Sequence, residues 1–251
     1  METAVTWQYL FDNPASRVKP PKVPKTQMHV FDVLDLAILL HALEQEPIQY
    51  RVIVSLAVAT GMRQGEIMGL EWRHIDFSNN TIRVEQCSQY LPGVGEFLKD
   101  PKNETSKRIV GVPENVMNLL KKHYGWQMEQ KNLLGDEWQD SGRIFTGWDG
   151  RPMYPSLITK WFPKFLKRNK LPHIPFHGLR HTNATLLIAN GATATDLSRA
   201  LGHADTTTTL NIYAHSFQNA NALLASKMDN ILRDINNKSK VQDCPNQFGN
   251  D

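Results

Sequence analysis

The sequence predicts a mainly α-helical chain carrying a small antiparallel β-sheet, an α+β arrangement. Three observations lead there. Apolar residues recur at three- and four-residue spacing, or fill long runs, over most of the chain. Extended, turn-punctuated segments are concentrated in about residues 81–113. Hydrophobic residues make up 41% of 251, enough to bury a substantial core and to argue against wholesale disorder.

The elements follow in order. Residues 13–26, NPASRVKPPKVPKT, are rich in Pro and Lys/Arg, carry no acid and read as a linker. The preceding WQYLF reads as the last turn of a helix, so the chain is expected to begin near a domain boundary. Phe31–Leu43 is densely apolar and predicts a helix with Asp32 near its start. Pro47 breaks it, and Tyr50–Thr60 is apolar nearly all round, which predicts a buried helix ended by Gly61. A short helix is expected over Arg63–Leu70 and a strand over Thr81–Gln86. From Gln89 to Pro113, extended segments are joined by turns at Pro92-Gly93 and at Asn103–Ser106, so a sheet of three strands at most is expected. Pro113 suits the first position of a helix running to about Gln130. Arg143–Thr146 reads as a short strand. Ser156–Asn169 reads as a basic helix in which Pro163 implies a kink or a late start. Gly178–Asn190 and Thr195–Leu201 predict helices closed by Gly191 and Gly202. Asp205 offers an N-cap for a helix toward Tyr213. Beyond it, Phe217, Ala220, Leu224, Met228, Ile231 and Ile235 form an apolar stripe that wants a partner.

Charge narrows the class. The net charge of +3 is a weak lean toward anionic partners, but its distribution says more. From Gly150 to Thr195 there is no acid, while Arg151, Lys160, Lys164, Lys167, Arg168, Lys170 and Arg180 fall in the same interval. Such a block fits a phosphate-backbone footprint, or else a solvated helix face. No run of eighteen apolar residues suggests a membrane span, and the N-terminus lacks the pattern of a secretory signal. Cys87 and Cys244 lie far apart and read as free thiols in a reducing cytoplasm rather than a disulfide.

The chemistry-bearing groups gather between His177 and Tyr213. His177 and Arg180 are three apart at a helix start, so imidazole, guanidinium and free N–H groups can converge on one phosphate. A buried imidazole beside a surface Arg is the plainer alternative. His177 and His181 also share the four-residue spacing of zinc histidines, but position 178 is glycine and no other ligand lies at suitable spacing, so no metal is expected. Tyr213, in LNIYAH, reads alone as a core tyrosine. Its phenol is only roughly 0.1% ionised at neutral pH and becomes a nucleophile where a base or cations help it. Arg63 lies three residues before Glu66, which can orient a neighbour across one helix face; an ordinary ion pair is the alternative. Lys102 sits at an expected hairpin turn, where its ammonium can reach a cleft.

Taken together these segments resemble one family. ATGMRQGEIMGLEWRHID, PKNETSKRIVGVP, HGLRHT and LGHADTTTTLNIYAH occur in the order found in tyrosine recombinases (phage-type integrases), over about residues 30–215. The pairing of HxxR with a downstream LGH…Y is the most specific mark. The resemblance implies the DNA breaking-rejoining catalytic fold. It implies residues 1–27 as the remnant of a core-binding domain and linker, 28–216 as the catalytic domain, and 217–251 as a C-terminal helix and tail. It matches Arg63 to the first family arginine, Glu66 to its supporting acid, Lys102 to the hairpin lysine, His177 and Arg180 to the HxxR pair, His203 to the later His/Trp position and Tyr213 to the nucleophile. The basic residues Lys160, Lys164, Lys167 and Arg168 are expected to bind DNA.

The implied reaction is site-specific cleavage and rejoining of DNA through a 3′-phosphotyrosyl link, without cofactor or metal. Arg63 and Arg180 would clamp the non-bridging oxygens, Lys102 would protonate the leaving 5′ oxygen, His177 would take the Tyr213 proton and His203 would donate to the phosphate. Implied partners are double-stranded attachment sites and a homo-tetramer exchanging the Phe217–Ile235 helix, with an excisionase or host DNA-bending protein as a possible addition; the implied location is the cytoplasm of a prokaryotic host. Two other readings stay open: a type IB topoisomerase relaxing supercoils, and a non-catalytic DNA-binding protein with the same fold.

Overall fold

The computed structural model describes residues 1–19, 29–100, 107–203, 205–218 and residue 228. The N-terminal helix α1 (Glu2–Thr6) buries no side chain. The main body begins where Asp32 caps α2 (Val33–Leu43): its carboxylate accepts from Asp35 N–H while Asp35 accepts in return, so both free amides of the helix start are met. Pro47 caps α3 (Ile48–Thr60), whose Val52, Ile53, Val54, Leu56 and Ala57 are all buried, as its all-round apolar sequence predicts. This helix packs on α5 (Glu114–Leu134) and on α7 (Gly178–Ala189). Gly61 ends it at φ +63°, a left-handed conformation that favours glycine. A Cβ there would also meet the Asn183 amide oxygen and a Leu201 methyl at 2.7 Å.

The β structure is larger than the sequence suggests. Among the described residues, five strands form two antiparallel sheets, not one sheet of three. In the first, β1 (Ile75–Asp76), β2 (Thr81–Val84) and β5 (Arg108–Gly111) lie in the order β1-β2-β5, with Thr81 opposite Gly111 and Val84 opposite Arg108. In the second, β3 (Cys87–Leu91) and β4 (Gly95–Lys99) form a hairpin around the expected Pro92-Gly93 turn. The Arg143–Thr146 strand does not form; Arg143 and Thr146 make isolated bridges to Glu71 and Pro152.

Helix α6 (Pro155–Arg168) keeps Pro163 inside, with Ile158, Phe162, Phe165 and Leu166 buried. Residues 169–177 lead into α7, and α8 (Ala194–Leu201) starts at Thr193, whose hydroxyl accepts from Asp196 N–H. Residues 206–218 form α9, started by Asp205 accepting from Thr207 N–H. One apolar cluster holds α2 to α7 and the strands together. A second, Ala184, Ile188, Leu197, Leu201 and Tyr213 with Phe217 against it, seats α9 on α7 and α8. Phe217 therefore packs within its own chain; the rest of the expected Phe217–Ile235 stripe lies outside the described residues except Met228, which is exposed. Cys244 and the 20–28 segment also lie outside them. No described helix is long and apolar enough to cross a membrane.

Candidate active site

The start of α4 (Gln64–Met68) places the first cation. Arg63 is its N-cap, and Glu66, one turn on, reaches back: its carboxylate accepts from Arg63 N–H at 2.9 Å and from Arg63 Nη1 at 2.8 Å. The other side of that carboxylate is taken by Arg108 of β5, with Nη1 and Nη2 donating at 3.2 and 2.9 Å. Burial pushes the Glu66 carboxyl up, but the Arg108 and Arg63 donors outweigh it and hold it below the usual range. Glu66 thus stays ionised and grips two guanidiniums at once. Arg108 was not among the expected site residues. Its signal lay in PKNETSKRIVGVP, where an Arg alternating onto a strand face beside an apolar run is a candidate for a buried pair.

The C-terminal turn of α8 supplies the other wall. Gly202 stands at φ +65°, and a Cβ there would lie 2.8 Å from Arg108 Nη1. The left-handed turn exposes the Leu201 and Gly202 carbonyls. Arg63 leans on both, from Nη1 to Leu201 O at 3.5 Å and from Nη2 to Gly202 O at 3.4 Å, while Arg108 Nε donates to Ala200 O at 2.9 Å. The negative end of α8 therefore faces three guanidiniums.

The third of these is Arg180, on the first turn of α7. It is 3% exposed; Nη1 donates to Gly61 O and Nη2 to Leu201 O, both at 2.8 Å. Nη2 also donates to His203 Nε2 at 2.9 Å. Burial, together with Arg63, lowers the Arg180 guanidinium to about 10, which leaves it charged at neutral pH. Since His203 Nε2 accepts, its proton sits on Nδ1, which donates to the buried Thr209 hydroxyl at 2.7 Å. Burial and the nearby Arg180 and Arg63 charges hold His203 down at about 4, so it is neutral. It braces Arg180 in this state rather than offering a donor of its own.

Tyr213 is 4% exposed on α9. Its hydroxyl is hydrogen-bonded to Nδ1 of His181 at 2.9 Å, not to His177. Burial pushes the phenol up to about 12, and burial with His177 and Arg180 pushes His181 down to about 4. Both groups are neutral here. His177 lies edge-on to His181 at 4.9 Å between ring centroids and is exposed; burial and the Arg180 and Arg63 charges lower its proton affinity too.

Of the expected site residues, Arg63, Glu66, Arg180 and His203 converge on one cage; Tyr213 and His177 border it through His181, beside Arg180 on the same helix. Lys102 lies outside the described residues. Lys160, Lys164, Lys167 and Arg168 are carried by α6, where all four are exposed. Arg168 is ion-paired with Glu46, which reduces what it can offer another anion.

Comparisons with known proteins agree with this architecture. The phage integrase family model matches residues 30–220. A tyrosine recombinase XerC-like protein of Caldanaerobacter subterraneus subsp. tengcongensis is 31% identical over 229 residues, covering 84% of this chain and 58% of that protein. The ICEBs1 integrase of Bacillus subtilis is 28% identical over 232 residues, covering 92% of this chain and 62% of its own length. The chain thus spans about 60% of these relatives. Among solved structures, the transposon Tn1549 integrase in complex with circular intermediate DNA superposes with a TM-score of 0.67 at 21% identity, over 86% of this chain and 71% of that one. XerA recombinase gives 0.63 at 22%, over 84% and 66%. These two likenesses are of fold. The family match spans α2 to α9, the stretch that builds the guanidinium cage and carries Tyr213 to its edge, and the chain belongs to the phage integrase family.

Proposed function

We propose that this chain is the catalytic part of a site-specific DNA recombinase that cleaves and rejoins strands through a phosphotyrosyl intermediate. The observation that carries the reading is the meeting of Arg63 and Arg180 on the Leu201 carbonyl, with Tyr213 held on His181, the residue next to Arg180. Arg63, held by Glu66 and the α8 carbonyls, and Arg180, held by backbone carbonyls and His203, keep N–H groups for a further acceptor. A phosphodiester entering there would place its non-bridging oxygens on them, where charge builds in the transition state. Its negative charge would also raise the proton affinity of His203 and let Nε2 become a donor. The lysines of α6 would track the flanking backbone. The Tn1549 integrase complex, a relative in fold, holds DNA.

Tyr213 would attack phosphorus, forming a 3′-phosphotyrosyl link and expelling a 5′ hydroxyl. Lys102 is the candidate donor to that oxygen. A 5′ hydroxyl from a second duplex would reverse the step. Two paired sites imply a homo-tetramer in which segments beyond Phe217 cross to a neighbour; an excisionase or a DNA-bending protein would act on that assembly. The domain division follows the same reading, with residues 28–216 as the catalytic unit.

The test is a nicked suicide duplex carrying the junction sequences that flank the reading frame. Wild type should form an SDS-stable adduct and Tyr213→Phe none. An adduct with Tyr213→Phe, or none with wild type, defeats the reading. Supercoil relaxation without two-site joining would point instead to a topoisomerase. Truncation after Ser216 should abolish tetramer assembly on DNA; equal assembly counts against exchange.

A further inference from the structure

Of His177, His181 and His203, His181 is the one hydrogen-bonded to the Tyr213 hydroxyl. We propose that His181 is the residue that receives the phenolic proton of Tyr213 during strand cleavage and returns it on rejoining. This rests on the recombinase reading above and adds the identity of the base.

Each alternative is otherwise engaged. His203 spends Nε2 on Arg180 and Nδ1 on Thr209, so neither nitrogen is open to the phenol. His177 touches His181 edge-on, and the Tyr213 hydroxyl is directed to His181 instead. His181 Nδ1 is already 2.9 Å from the hydroxyl oxygen. Transfer to Nδ1 requires the lone pair on that nitrogen and the hydrogen on Nε2. Nε2 is buried and has no hydrogen-bond partner among the described residues, so the Tyr213 hydroxyl is the polar contact of this ring. Position adds to this. His181 follows Arg180 on the helix, so the phosphate clamp and the proton acceptor are adjacent residues of one turn of α7. The pocket that seats the pair is built by Ala184, Ile188, Leu197 and Leu201, which keep α9 and its tyrosine against that turn.

The balance is simple. The Tyr213 Oη–P bond forms as the P–O5′ bond breaks. The phenolic proton passes to His181 Nδ1, and the leaving oxygen takes a proton from a separate donor, for which Lys102 is the sequence candidate. On rejoining, the 5′ hydroxyl attacks phosphorus and gives its proton back to that separate donor, the Tyr213 Oη–P bond breaks, and the His181 imidazolium returns its proton to the departing phenolate. With the phenol up at about 12 and the imidazole down at about 4, the proton stays on tyrosine in the resting protein. It moves only as the O–P bond forms, which keeps the nucleophile inactive until a phosphate is in place.

The experiment measures adduct formation on the nicked suicide duplex with His181→Asn, whose amide oxygen can occupy the Nδ1 position and accept the hydrogen bond but not the proton. Cleavage should fall on the order of 10²-fold. Replacing Tyr213 by a fluorinated, more acidic tyrosine should restore much of the loss in His181→Asn and do nothing comparable for His177→Asn. An unchanged rate in His181→Asn, or a loss that the acidic tyrosine does not relieve in a variant that melts like wild type, overturns the proposal. If His181→Asn does not fold, ring-nitrogen NMR of the wild-type chain decides: Nδ1 unprotonated supports the assignment, and a proton on Nδ1 overturns it. Failure of wild type to form any adduct would strike the recombinase reading itself, and this role with it.

Discussion

Arg108 and Glu66 face each other through two nearly parallel N–H···O contacts of 2.9 and 3.2 Å, with both side chains less than a tenth exposed. The pair joins β5 to α4, and Glu66 passes the constraint on to Arg63. Breaking a buried pair leaves an uncompensated charge, which costs about 3–5 kcal/mol. Arg108→Ala is therefore expected to lower unfolding stability by that amount, read by urea titration. Glu66→Gln should also slow adduct formation, since Arg63 loses its orienting acceptor. A change within about 0.5 kcal/mol for Arg108→Ala, the range of an ordinary surface substitution, would sink this account.

Arg63 and Arg180 are expected to separate catalysis from stability. Removing either should cut the cleavage rate on the order of 10²–10³-fold, as for other donors to a developing oxyanion. Only Arg180→Ala should also lower the melting temperature. Its donors serve the Gly61 and Leu201 carbonyls, each costing about 1–3 kcal/mol if left buried and unmet, whereas the Arg63 side chain is 40% exposed. Equal melting temperatures for the two variants would contradict the assignment.

The fully buried His123 sets an acid limit. Its Nε2 donates to Ile144 O at 2.8 Å, and burial holds its proton affinity down at about 4, below the ordinary 6.5. The unfolded chain therefore takes up this proton first as pH falls. The stability from a neutral His123 is complete above about pH 6.5 and declines between 6.5 and 4, by up to about 3 kcal/mol. Glu66 acts in a lower window: its depressed carboxyl contributes stability that is lost as pH falls below 4.5. Denaturant titrations at pH 7.5 and 5 on wild type and His123→Gln should differ in slope with pH. The same slope in both would exclude this histidine as the cause.

The face of α6 should show itself in salt dependence. Lys160, Lys164 and Lys167 lie along it, and each of them that neutralises a phosphate should contribute about one to the slope of log K against log salt. The triple alanine variant should therefore bind DNA with a shallower slope. Arg168→Ala should change it less, because Glu46 already holds that guanidinium. An unchanged slope in the triple variant would remove α6 from the interface.

Much of this was legible in the sequence because it depends on neighbours in the chain. Apolar runs located α2, α3 and α7, Asp32 marked the start of α2, Gly61 and Gly202 marked the ends of α3 and α8, and ordered motifs identified the family. The sheets were underestimated because strand pairing is decided by partners: β2 finds β5 across the β3–β4 hairpin, a choice its own four residues do not record. The site divides along the same line. Residue types and spacing marked Arg63, Glu66, His177, Arg180, His203 and Tyr213, since a phosphate calls for cations and a nucleophile. Which imidazole meets the phenol was settled by the helix phase of α7 and the docking of α9, which bring His181 rather than His177 to Tyr213. Likewise only the tertiary structure brought Arg108 to Glu66 and turned the Leu201 carbonyl toward Arg63 and Arg180. These contacts join residues 42, 138 and 21 positions apart, and a hydrogen bond over such separations depends on the path of the whole chain between them.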